Sequence, residues 1–425
     1  MALPGHRHRG PKQSGSPAAS HGACMHEKFI ARQPIFDKRL RVYAYELLFR
    51  GGPQNFFQAR NHASSSVIAD SLTLSDLQNL TGDARAFINV DELALRLGAP
   101  RLLPPDRIVV EILESVKPTD EIVGICRELR QDGYSLALDD FLGDPALQPL
   151  VDLAHYLKVD FTLLDADGRK RVAEKYLGNG LSLLAEKVET QNDLDEARNL
   201  GYCYFQGYFF CKPSMLETRD IPGNKLIQLQ LLSAVASQDL NCDAIEILLN
   251  QDPSLLYRLL RYLNSPALGL QSEVTSIRHA ITLLGDNEFR RWVSIFAVIA
   301  MSSGKPPELI HTALTRAYFC EEFSVPAGFH DKSSTMFLMG LLSVSDALLD
   351  RPMKEVVGSL PIDPEVKAAL CGGENRYRDL YEVLLALERA EWPRLATYTE
   401  RLGCPEDNVP DSYQSALQKA SAVSV

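Results

Sequence analysis

From Phe29 to about Lys212, short apolar runs alternate with longer stretches of helical periodicity. The runs read FIARQPI, VYAYELLFR, AFINV, RIVVEI, SLALDD, HYLKVD, LSLLAEKVE and YFQGYFF, with helix candidates such as residues 62–80, 119–131 and 192–199 between them. Strands alternating with helices over this length predict a largely parallel sheet, either closed into a (β/α)8 barrel or doubly wound and open. Near the end of most runs stands a polar residue that packing alone would not select: Glu46, Asn89, Glu111, Asp139 with Asp140, Lys158, Glu186 and Gln206. An open sheet spreads such residues along a line, whereas a barrel gathers them at one face. Converging carboxylates repel one another unless cations share the site. The barrel reading therefore implies divalent metal with oxygen ligands, Mg2+ or Mn2+.

After residues 213–224 the pattern changes. Asp252 reads as an N-cap with Pro253 in the first helical position, and Leu255, Leu256, Leu259, Leu260 and Leu263 follow at helical spacing. Ser276 can cap a helix carrying Ile277, Ala280, Ile281 and Leu284, which Gly285 ends. Further helices are predicted over 308–323, 334–349, 364–370 and 378–401. No strand alternation survives in this half, which reads as all-α.

Length and composition refine this picture. A chain of 425 residues holds two domains, each with a core of its own. The net charge of -11 argues against non-specific nucleic-acid binding, which calls for a basic surface. The eight cysteines are scattered without a CxxC pair, the usage of a reduced, cytoplasmic protein, and no apolar run reaches the length of a membrane span. Residues 1–24 are rich in Gly, Pro, Ser and basic side chains and lack a secretory apolar core, so they are expected to be a disordered tail, with Met25 as a candidate native start. The expected boundaries are 25–213 for the barrel and 224–425 for the helical domain.

The ordered motifs of the first half resemble the EAL family, cyclic-di-GMP phosphodiesterases with a TIM-like barrel. The signature Glu-Ala-Leu-x-Arg is matched by Glu46-Leu47-Leu48-Phe49-Arg50, the family's Asn by Asn89, and Glu-x-Thr-Glu by Glu111-Ile112-Leu113-Glu114. Asp139-Asp140-Phe141, Lys158-Val159-Asp160, Ala185-Glu186-Lys187-Val188-Glu189 and Gln206-Gly207-Tyr208 follow in order. The resemblance implies that Glu46, Asn89, Glu111, Asp139, Asp140 and Glu186 hold two divalent ions, with Lys158 and Glu186 in the catalytic roles. It assigns Arg50, Gln33 and Gln206 to substrate binding or site support, and Glu114 and Glu189 to the supporting loops. Three departures stand out: Leu47 for Ala, Lys187 for Gly, and the loop Leu142-Gly143-Asp144-Pro145-Ala146-Leu147 where the family has a glycine- and serine-rich segment. Pro145 stiffens that loop and changes its shape.

The second half resembles the HDOD domain, an all-helical relative of HD phosphohydrolases without their metal site. Where an HD enzyme carries its dyad after Gly-Leu-Leu, this chain has Ser343-Val344, and His330-Asp331 falls before the helix as a loop or cap pair. The resemblance implies a cyclic-di-GMP signalling protein that hydrolyses the cyclic dinucleotide slowly to its linear form. The alternative is a non-catalytic receptor or scaffold that relays signals through HDOD to a partner protein. It also allows a homodimer.

Overall fold

The computed structural model describes residues 29–50, 74–178, 180–212, 223–237, 240–264, 274, 276–358 and 360–423. The expected tail, the Met25 start, the first part of the 62–80 helix and most of the 213–224 linker lie outside the described residues.

Strands β1 (Phe29–Asp37), β2 (Val42–Arg50), β3 (Arg85–Val90), β4 (Ile108–Ile112), β5 (Ser135–Leu138), β6 (Tyr156–Asp160), β7 (Ser182–Glu186) and β8 (Tyr204–Gln206) close into a barrel in chain order. The closed alternative therefore holds. From β2 to β8 the strands are parallel, but β1 runs antiparallel to both of its neighbours. The connection from Asp37 to Val42 is too short for a crossover, which leaves a hairpin as the only solution. Asp37 fixes that turn by accepting the backbone N–H groups of Arg39 and Arg41.

Around the barrel stand α1 (Leu74–Thr81), α2 (Glu92–Arg96), α3 (Asp120–Gln131), α4 (Gln148–Val151), α5 (Ala166–Tyr176) and α6 (Gln191–Asn199). Their starts are written in side chains. Asp91, Thr119 and Asp165 cap free N–H groups, and Thr190 with Asp193 forms a capping box.

The two-residue period of the strands builds the barrel interior in layers. Ile35, Ala44, Phe87, Val109, Ala137, Tyr156 and Leu184 fill the centre as one apolar cluster, with Tyr204 against it. Two residues nearer the mouth on each strand stand Gln33, Glu46, Asn89, Glu111, Asp139, Lys158, Glu186 and Gln206. Side chains two apart on a strand share a face, so the polar layer lies directly on the apolar one.

The second half contains α7 (Gly223–Ala236), α8 (Cys242–Asn250), α9 (Pro253–Leu263), α10 (Ile277–Leu284), α11 (Asp286–Met301), α12 (Pro307–Ser324), α13 (Ser333–Leu342) and α14 (Ser345–Leu349). It continues with α15 (Met353–Gly358), α16 (Pro364–Leu370), α17 (Arg376–Glu388), α18 (Trp392–Leu402) and α19 (Asn408–Ala422). Asp252 and Ser276 cap α9 and α10 as expected, and Gly285 ends α10. His330 and Asp331 lie in a short 3-10 turn ahead of α13. Two expected helices are each broken in two. Residues 334–349 divide at Ser343-Val344, and residues 378–401 divide at Arg389–Glu391, where Ala390 takes a left-handed φ of 55°.

Helices α17 and α19 pack on β1, and α19 also meets α1. Trp392 meets Phe29 edge-on at 6.3 Å between centroids, Arg32 reaches His311 at 3.0 Å, and Tyr45 donates to Glu308 at 3.0 Å. No helix among the described residues is long and apolar enough to cross a membrane.

Candidate active site at the barrel mouth

At the centre of the polar layer is Lys158, only 1% exposed. Its Nζ lies 3.3 Å from Glu46, 3.1 Å from Asp139 and 2.7 Å from Glu186, and it also pairs with Glu111. One ammonium thus faces four carboxylates. Burial and the neighbouring Glu46 hold the Glu111 carboxyl well above its usual range, and burial pushes Glu186 up to about 8. Burial also raises Asp139, but Lys158 and hydrogen bonds outweigh it and the net shift is downward. Asp140 is raised to about 6 by burial and by the adjacent Asp139. Lys158 itself loses solvation, yet the surrounding acids hold its pKa well above normal.

Amides tie the layer together. Asn89 Nδ2 donates to Glu46 Oε1 at 3.1 Å, and Gln206 Nε2 reaches Glu46 Oε2 at 2.6 Å and Gln33 Oε1 at 3.0 Å. Glu111 Oε2, Asn89 Oδ1 and Gln206 Oε1 are buried acceptors without a hydrogen-bond partner among the described residues. Such orphans are costly unless a cation or donor meets them. Carboxylate oxygens of Glu46, Glu111 and Glu186 lie within 4.8 Å of one another, and a second group of the same compactness joins Glu114, Asp139 and Asp140. An all-oxygen donor set, surplus negative charge and unmet acceptors together fit hard divalent cations.

The backbone around the layer is specialised. Asp140 and Lys187 take left-handed φ values of 42° and 52°. Lys187, the departure from glycine, reaches the buried Asp160 with its Nζ, and Asp160 also accepts from the Thr162 backbone and hydroxyl at 2.6 Å. At Gly207, φ is 144° and a Cβ would lie 2.1 Å from the Val188 carbonyl oxygen, so only glycine fits. In the altered loop, Asp144 caps a 3-10 turn, Pro145–Leu147, and Leu142 is half exposed.

Above the layer opens a cavity of about 410 Å3, within the range of small-molecule sites. Gln33, Glu46, Asp139, Asp140, Glu186 and Gln206 are in its wall, with Glu189, which pairs with Lys212 at 2.8 Å. The structure thus gathers Glu46, Asn89, Glu111, Asp139, Asp140, Lys158, Glu186, Gln33 and Gln206, with Glu114 at the edge. Arg50 is placed elsewhere. It is 3% exposed, lies 2.9 Å from Glu406 of the helical half, and stacks over Phe29, with Trp392 beyond.

Sequence reasoning missed one wall altogether. Arg389, Ala390 and Glu391, the turn between α17 and α18, line the cavity from the helical side. The signal was present in Pro393. Proline is tolerated in the first turn of a helix and not in its interior, so a helix start near Trp392 follows.

The EAL-domain model matches residues 58–213 and the HDOD-domain model residues 221–347. A Vibrio cholerae protein named cyclic di-GMP phosphodiesterase CdgJ is 34% identical over 393 residues, covering 91% of this chain and 90% of the relative. The YuxH protein of Bacillus subtilis is 32% identical over 400 residues, covering 92% and 97%. Among solved structures, the Bacillus subtilis YkuI protein, described with an EAL domain and in complex with c-di-GMP and calcium, aligns at a TM-score of 0.34 and 18% identity. That alignment covers 61% of this chain and 72% of the other. With full-length relatives above 30% identity and both domain models in order, the chain belongs to the EAL–HDOD family.

Proposed function

We propose that the chain is an EAL-type phosphodiesterase that opens cyclic di-GMP to the linear dinucleotide with two divalent ions, Mg2+ or Mn2+. The observation that carries this reading is the excess of buried carboxylates over cations around Lys158, beneath a cavity of nucleotide scale. Glu46, Asn89, Glu111 and Glu186 would hold one ion, and Asp139 and Asp140, with Glu114 nearby, a second. Divalent cations bound there neutralise phosphate charge and lower the pKa of water.

The chain's own residues do the rest. Lys158, its Nζ held by four acids, fixes the carboxylates in place and sets a positive charge beneath the cavity, where it offsets charge that grows on the phosphate in the transition state. Gln206 holds Glu46 and Gln33 in register by sharing its amide between them. The layer of apolar side chains beneath seals the site from the barrel bottom, which strengthens each electrostatic contact. Turnover is slow on this reading, because the stiff turn at Pro145 replaces a small-residue loop and positioning errors cost rate more than affinity.

The engagement of Arg50 by Glu406 favours a second reading, a non-catalytic receptor that relays nucleotide binding through the helical half to a protein partner. We also assign the protein to the cytoplasm, in line with its scattered cysteines, which are free among the described residues. Incubation with cyclic di-GMP and Mg2+ or Mn2+ separates the two readings. Linear product that vanishes in Asp139→Asn supports the enzyme, and binding without product supports the receptor. Absence of both binding and product leaves neither standing.

A further inference from the structure

Of the arginines, the one that the signature assigns to substrate is not in the cavity wall. Arg50 is buried between Glu406, Phe29 and Trp392. The cavity is nonetheless meant, on the reading above, for a ligand with two phosphodiester charges, and its wall is acidic. Glu46, Asp139, Asp140, Glu186, Glu189 and Glu391 face three cations, Lys187, Lys212 and Arg389. Lys187 is spent on Asp160 and Lys212 on Glu189. Arg389 is exposed and makes no carboxylate pair among the described residues. Its guanidinium rests over the Tyr208 ring at 5.4 Å, just past the Gln206-Gly207 end of β8.

Its placement is not that of a loose surface arginine. The preceding residue, Glu388, accepts from Gln33 Nε2 at 3.2 Å through its backbone oxygen, and Gln33 in turn is held by Gln206, which holds Glu46. A short chain of amides thus ties the turn to a carboxylate of the metal layer. The Glu388 side chain is clamped by Arg316 through two hydrogen bonds of 2.8 and 2.7 Å, so the turn is anchored from both sides. The left-handed residue Ala390 then sharply redirects the chain, leaving Arg389 at the rim of the cavity.

We propose that the helical domain completes the substrate site in cis, with Arg389 binding a phosphate of the cyclic dinucleotide. A planar guanidinium offers paired donors to phosphate oxygens, and its resting place on Tyr208 keeps it close to the cavity without tying up those donors. This inference rests on the phosphodiester reading of the site and goes beyond it, since it makes the second domain a part of the binding pocket. It also explains how the barrel can give up Arg50 to the interdomain contact.

The test uses the full-length chain and cyclic di-GMP itself, with equilibrium binding in Ca2+ and steady-state turnover in Mg2+ or Mn2+. Arg389→Ala is expected to weaken binding and raise KM by about 10-fold or more, the scale of one charge-assisted hydrogen bond. It should leave kcat within a few-fold and the melting temperature unchanged, since the side chain is exposed. Arg389→Lys should recover part of the affinity, and the salt dependence of binding should be shallower in Arg389→Ala than in wild type. Unchanged affinity in Arg389→Ala overturns the inference and leaves the phosphodiesterase reading intact. Tighter binding or faster turnover also overturns it, because the turn would then be an obstruction. If wild type binds no cyclic di-GMP under any of these ions, both the reading and the inference fall.

Discussion

Two buried cations, one in each half of the molecule, show how differently a fold can use charge. Lys158 in the barrel faces four carboxylates, lies under an open cavity and is ringed by acceptors with no partner. Arg316 in the helical half faces one carboxylate, Glu388, in a two-pronged pair, with Ser343 and Tyr381 accepting from its Nη1 at 3.3 and 3.2 Å. The second centre is balanced and closed, so its charges neutralise each other and ask for nothing further. The first centre is unbalanced and open, and that surplus can be met only from solution. The helical half thus closes its guanidinium within its own side chains, while the barrel leaves its acids facing an open cavity.

The contrast can be broken most forcefully at the balanced centre. Arg316→Met leaves Glu388 buried without a counter-charge, and removing one partner of such a pair costs about 3–5 kcal/mol. Denaturant unfolding should show this loss, and Arg316→Met combined with Glu388→Leu should regain most of it, since neither charge is then stranded. Full stability in the single variant would mean that the pair is not the anchor it looks to be. A smaller effect of opposite character is expected at the unbalanced centre. Glu186→Gln removes one of four acids crowding a single ammonium, so the metal-free protein in chelator should melt no lower than wild type. The same change should weaken Mn2+ binding by about 10-fold or more, by analogy with the effect of altering ligand-supporting groups. The stabilisation that Mn2+ gives in a melting experiment should shrink accordingly. A marked loss of stability without metal would make Glu186 a structural partner of Lys158.

Much of the barrel was legible because strand period and chemistry coincide. An apolar residue such as Phe87 or Val109 is followed two positions on by Asn89 or Glu111, so one pattern specifies both the core layer and the site layer. Caps at Asp252 and Ser276 were equally readable, since each acts within its own turn of chain. The antiparallel β1 was hidden among runs that look alike, although the short Asp37–Val42 connection dictates it. What could not be read locally was the contact between halves. Arg50 looks like a substrate ligand in its motif, and its partner Glu406 lies far along the chain in a segment of different periodicity. The turn at Arg389–Glu391 was concealed by leucines that keep helical spacing on both sides, Leu384 and Leu387 before it and Leu395 and Leu402 after it. Pro393 was the one dissenting signal. Lys187 read as a defect, yet its side chain neutralises the buried Asp160, a compensation that only the folded barrel reveals.

The interface between the halves provides the gentlest test of the comparison, because its central charge is also shared across domains. Arg32 of β1 donates to the Leu80 carbonyl at 2.6 Å, lies over the Tyr45 ring and approaches His311 of α12 at 3.0 Å. Around His311 are Thr315 and Glu308 on its own helix, Arg32 and Tyr45 from the barrel, and Ser421 and Tyr413 from α19. Burial first, and then the positive charge of Arg32, push the His311 pKa down to about 3. A histidine depressed in the folded state favours folding while it is neutral, above its unfolded value of about 6.5, and that contribution is lost as pH falls below it. Between pH 7.5 and pH 5.5, wild type should therefore lose about 1 kcal/mol more stability than His311→Gln, which has no proton to refuse. The comparison cancels every contribution that the two proteins share. Parallel pH profiles for the two would show that His311 is free to charge in place, and that the interface opens around it rather than resisting its proton.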